Sequence, residues 1–119
     1  MFKLDLSPAY FAPVAIDMLD ADGVLRTHRF DARFKRLDEP TVVDIQKRAE
    51  AKTITDGQLL DEIMIGWRGI EDADGNPLAF TADEVRSVCT KVSGLRQAIV
   101  NAWFASLMPR ESAVLAEKN

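Results

Sequence analysis

The chain has one cysteine, one histidine and no long apolar run. Each shortage removes a class of chemistry. Cys89 alone forms no internal disulfide, which fits a reducing cytoplasm. One cysteine and one histidine are too few ligands for a Cys/His metal site. The longest apolar stretches fall far below the ~20 residues needed to cross a bilayer. Met1-Phe2-Lys3-Leu4-Asp5 lacks the basic and apolar regions of a signal peptide. Phosphate-cradling glycine loops, dinucleotide motifs and nucleophile elbows are also missing. The net charge of −4 argues against a general nucleic-acid binder. The expectation is a cytoplasmic protein without catalytic residues, cofactor or metal.

What remains describes an ordinary globular chain, 47% hydrophobic and 29% charged over 119 residues. That length fits one domain, placed at 1–108, with a small, charged and flexible tail at 109–119. Pro8 and Pro13 give residues 1–13 the character of an irregular lead-in. Val14 to Met18 alternates as a half-buried strand does, Asp20-Ala21-Asp22-Gly23 is a turn, and a second strand runs to Phe34. The hairpin spans about 14–34. In its second strand Val24, Phe30, Ala32 and Phe34 share one face, while Thr27, Arg29, Asp31 and Arg33 share the other. Arg26 and His28 interrupt the apolar face, so cover is expected only near Phe30 to Phe34.

Beyond Glu39 the period becomes helical. Helices are expected at about 40–52, 55–67, 81–93 and 95–108, giving an α+β domain. Asp38, Glu39 and Pro40 suit a first turn. Leu59, Leu60, Ile63, Met64 and Trp67 form the stripe of the second helix. Thr81 and Glu84 form a capping box for the third, whose Val85, Val88, Cys89 and Val92 recur at i, i+3, i+4 and i+7. Gly94 ends it as the residue after the C-cap. The last helix carries a core stripe of Leu95, Ala98, Ile99, Ala102, Trp103 and Leu107. A second row, Val100, Phe104 and Met108, points either to deep burial or to contact with another chain.

The connection Gly66 to Phe80 holds three glycines, Pro77, an acidic run and two large aromatics. Such residues make a tight, fixed turn, pinned to the core by Trp67 and Phe80. They do not make a calcium loop. With Asp72 first, Pro77 falls where an EF-hand needs glycine, and Asp83 falls where it prefers glutamate. His28 has no neighbouring proton-transfer partner in the sequence, and Cys89 lies on a core stripe. Arg26, Arg29, Arg33, Lys35 and Arg36 gather five of the fifteen Lys and Arg residues, opposed only by Asp31. They could face phosphate or an acidic protein, and a small nucleic-acid-associated regulator using residues 26–36 is the alternative reading. The simpler reading is a solvated strand face.

The order of basic hairpin, Leu59-Leu60-Asp61-Glu62, Ile65-Gly66-Trp67-Arg68-Gly69-Ile70, Asp72-Ala73-Asp74-Gly75-Asn76-Pro77-Leu78 and Phe80-Thr81 resembles the tail assembly chaperones of long-tailed bacteriophages and prophages. Gly94 to Phe104 resembles the end of those proteins, so the likeness covers about residues 14–108. It implies a non-catalytic protein, without cofactor, that keeps the hydrophobic tape-measure protein soluble and helps recruit tail-tube subunits. It also implies a longer product made by ribosomal frameshifting, and codons for Glu117-Lys118-Asn119 can contain an A-AAA-AAC heptamer. The residues expected to meet the partner are Val100, Phe104 and Met108, helped from the core side by Trp67 and Trp103. Self-association through the same row is a second option.

Overall fold

The computed structural model describes residues 4–108. In chain order the elements are β1 (Ala9–Leu19), β2 (Leu25–Lys35), α1 (Glu39–Glu50), α2 (Asp56–Ile63), β3 (Met64–Arg68), α3 (Ala82–Lys91) and α4 (Leu95–Ser106). The strands form one antiparallel sheet in the order β1-β2-β3. This is the expected α+β architecture, hairpin first and four helices after it, with one strand more than the sequence reading contained. The flexible tail expected at 109–119 lies outside the described residues.

The hairpin is longer than expected because β1 begins at Ala9 and runs through Pro13. β1 is an edge strand, where a proline nitrogen turned away from the ladder removes no hydrogen bond. Pairing of Leu19 with Leu25 continues to Ala9 with Lys35. The turn between them is held by Asp20, whose Oδ1 accepts from the backbone N–H of Asp22 and of Val24, both at 2.9 Å. Gly23 closes it at φ +80°, a conformation costly for any residue with a Cβ.

The second helix is the main correction. It was expected to reach Trp67, but it ends at Ile63, and Met64–Arg68 pairs with β2 instead. Met64 is opposite Phe34 and Gly66 is opposite Arg33, so Ile65 is an extra residue in the ladder. That bulge lets Met64 and Trp67, three residues apart, face the same side. In a regular strand they would face opposite sides. The helix-like spacing was therefore produced by a bulged strand completing the free edge of β2.

Helix boundaries follow their caps. Asp38 accepts from Thr41 N–H at 3.0 Å and starts α1. The reciprocal capping box occurs at Thr55 and Gln58, at the start of α2. At Thr81 only its first half forms among the described residues, with Thr81 Oγ1 accepting from Glu84 N–H at 3.1 Å. Gly94, at φ +83°, serves as the N-cap of α4, one step beyond its expected place at the end of α3. α4 ends at Ser106, not at Met108.

All four helices contribute to a core that covers one face of the sheet. Ala12, Val14, Ala32 and Phe34 from the hairpin meet Ile45, Leu59, Ile63, Cys89, Ile99 and Trp103. Burial raises the Cys89 thiol above its ordinary pKa, as expected of a small hydrophobe on a core stripe. Cover over β2 begins at Phe30, while Arg26 and His28 are exposed, as the pattern of the strand indicated.

Candidate partner-binding surface

The sheet, α1 and α4 meet at a groove of about 550 Å³. α4 lies along β1, and the two are tied where the hydroxyls of Tyr10 and Ser106 share a hydrogen bond of 2.7 Å. Ser106 Oγ also donates to the carbonyl of Trp103 at 2.6 Å, which fixes the last turn of the helix. The groove has apolar walls from Leu37, Val42, Ala102, Ala105 and Leu107, with Lys35, Arg36 and Ser106 among its polar lining. Arg36 lies 5.1 Å above the Tyr10 ring and donates from Nε to the carbonyl of Ser7 at 2.7 Å. Apolar walls with a few polar groups suit a side chain from a docked helix or peptide.

The row expected to meet a partner is divided by the fold. Val100 is 4% exposed and belongs to the core. Phe104 is half-buried and packs edge-on to Trp103 with ring centroids 5.0 Å apart. Met108, at 57% exposed, is the one member that stands free. Trp103 is 0% exposed and lines only the floor of the groove. Val100 and Trp103 thus give their surface to this chain's own core, and the accessible apolar surface lies one helix face away, at Ala102, Ala105 and Leu107. The sequence stripe marked what α4 buries, since an apolar period does not tell core from partner.

Trp67 is also half-buried, and its role is visible. Its Nε1 donates to the carbonyl of Leu78 at 2.9 Å, and its ring lies 5.3 Å from that of Phe80. This is the pin expected for the 66–80 connection. Asp72 holds the turn inside it, accepting at Oδ1 from Asp74 N–H and Asn76 N–H, both at 2.9 Å. The turn repeats that of the hairpin, with Gly75 at φ +82°. The carboxylates thus hold backbone, and among the described residues no three His, Cys, Asp or Glu side chains converge as metal ligands.

Several cations of the basic hairpin have partners within the fold. Arg26 donates to Asp20 at 2.7 Å, which holds that carboxyl below its usual range. Arg33 lies over Phe11 and Arg36 over Tyr10. The five residues do not share one face, since Arg26 and Arg36 are out of phase with Arg29, Arg33 and Lys35 along the strand. Residues 9–13 were expected to be irregular because Pro8 and Pro13 interrupt an alternation (Tyr10, Ala12, Val14, Ile16) that was already present.

No helix of the described chain is long and apolar enough to cross a membrane. No family model matches the chain, and no curated protein or solved structure matches it.

Proposed function

We propose that the chain is a tail assembly chaperone of the long-tailed phage type. It acts in the host cytoplasm by holding apolar helical segments of the tape-measure protein and bringing tail-tube subunits to them. The observation that carries the reading is the apolar groove beside α4, with Ala105 exposed on its wall and Met108 exposed just beyond. A groove of this kind shields one or two apolar side chains of a helix at a time, so a long client is covered by many copies. The resemblance over the 66–80 connection and the start of α4 supports the same reading. The role requires no reaction, cofactor or metal.

The test is to sequence the gene's downstream region for a long helical reading frame and to co-express its product with this chain. The tape-measure protein should be soluble with the parent chain and largely insoluble with Ala105→Glu. That substitution places a carboxylate on the groove wall at an exposed helical site, where its cost to the fold is below ~1 kcal/mol. Equal solubility with both chains, the variant being folded, would remove the groove from the reading. The absence of such a reading frame would remove the tape-measure partner itself.

A further inference from the structure

The second face of the sheet is not covered by the helices, and its side chains sort into two lanes. β1 presents Phe11, Pro13 and Ala15, all exposed. Beside them in register, β2 presents Arg33, Asp31 and Arg29. β3 adds Arg68 opposite Asp31, and Lys35 extends the basic lane at the end of β2. A short apolar lane, Phe11 to Ala15, therefore runs next to a basic one, Arg29 to Lys35, and Asp17 ends the apolar lane.

The basic lane is held in place. The Arg68 guanidinium lies 3.8 Å from the centroid of the Phe11 ring, and that of Arg33 lies 5.5 Å from it. Arg68 Nε also donates to Asp31 Oδ2 at 2.9 Å. Of the two acids on this face, Asp31 is thus paired with Arg68, and Asp17 accepts from Thr27. Three cations, Arg29, Arg33 and Lys35, remain outside any ion pair among the described residues, on a chain whose net charge is −4. Guanidiniums already stacked on an aromatic ring lose little freedom when they meet a carboxylate.

We infer that this face docks an amphipathic helix of a protein partner, one whose apolar stripe is flanked by Asp or Glu. The apolar lane takes the stripe and the basic lane takes the acidic flank. At ~3.3 Å per residue the basic lane from Arg29 to Lys35 is about 20 Å long, the length of a helix of roughly 13 residues. Nucleic acid fits less well. Among the described residues Phe11 is the face's single aromatic ring, 39% exposed with two guanidiniums against it, which leaves room for an apolar side chain but not for a run of stacked bases, and the lane along β1 has no use for phosphate. The inference goes beyond the tail-chaperone reading. The groove reaches this face along the edge of β1, at Phe11 and Pro13, and at Lys35, whereas Ala15, Arg29, Arg33 and Arg68 lie outside it.

Two synthetic peptides of about 20 residues, long enough to be helical in isolation, provide the test, with the same leucine stripe but a glutamate flank in one and a lysine flank in the other. Titrated into the full chain at low salt, the glutamate peptide should bind at least ~10-fold more tightly. Raising the salt should shrink the difference, because the contacts are exposed to solvent. The double variant Arg29→Glu/Arg33→Glu should reverse the preference while keeping the parent circular dichroism spectrum. Arg29→Glu alone, outside the groove, should reduce it in the same direction should the double variant unfold. Amide shifts caused by the glutamate peptide should gather on Ala15, Arg29, Arg33 and Arg68. Equal binding of the two peptides, no binding up to ~1 mM, shifts confined to Ala105 and Leu107, or tighter binding of a single-stranded oligonucleotide would each overturn the inference.

Discussion

The two faces of the sheet are made by alternate residues of the same strands, yet their side chains behave as if from different proteins. Inward, Val14, Ala32 and Phe34 have almost no contact with solvent. Outward, Phe11, Arg29 and Arg33 are exposed, and the ordered contacts among them are guanidinium on ring. One face is held by volume and burial, the other by charge and geometry. Sequence changes on the two faces should therefore have separable effects, on stability for one and on recognition for the other.

The strongest way to break that separation is a pair of matched phenylalanine substitutions. Phe34→Ala empties a fully buried site and should cost about 3–5 kcal/mol in denaturant unfolding. Phe11→Ala removes a ring that is 39% exposed and should cost below ~1 kcal/mol. Similar losses for the two would show that both faces serve as core.

Gly23→Ala sharpens the comparison at the turn that sets which residue faces which side. A Cβ there meets nothing within 4 Å, so the cost comes from φ +80° alone, about 1–2 kcal/mol by thermal unfolding. Gly75→Ala, at φ +82° and equally unobstructed, should cost the same, although it sits far from the hairpin. A much larger loss at Gly23 would mean that the strand register itself had slipped.

The smallest effect is expected from pH. Arg26 holds Asp20, Thr41 holds Asp38 and Arg48 holds Glu62 below their usual carboxylate pKa values. Each is depressed in the folded state, so each contributes stability that is complete above the unfolded value near 4 and lost as pH falls through the lower, folded one. The melting temperature should be flat from about pH 7 to 5 and fall modestly below pH ~4, because all three groups are solvent-exposed. A fall already complete at pH 5 would show that these three carboxylates do not set the acid limb.

Much of this fold could be read from residues whose local preference and tertiary role agree. The hairpin turn, the helix start at Asp38, the N-cap at Thr81, and the stripes of α3 and α4 were of that kind, whereas the full capping box formed at Thr55 and Gln58 and not at Thr81. β3 was hidden because Ile65 bulges and gives Met64 and Trp67 a helical spacing. The start of β1 was hidden because a proline is admissible on an edge and the sequence does not state which strand is the edge. The groove was hidden for another reason. Its walls come from β1, α1 and α4, and a side chain's period along one helix says nothing about what two other elements leave uncovered. The five basic residues were visible as a cluster, but not their division between the two faces, nor the capture of Phe11 by Arg68 from a strand that had been read as helix.

The late arrival of β3 also bears on synthesis. β2 is complete at Lys35, but the strand that covers its second edge begins at Met64, with α1 and α2 in between. At ~5–20 residues per second, the ribosome needs roughly 2–6 s to supply the intervening stretch. For that interval the nascent hairpin has an unpaired ladder along the second edge of β2. Slow codons between Lys35 and Met64 lengthen the exposure, whereas slow codons after Arg68 leave it unchanged.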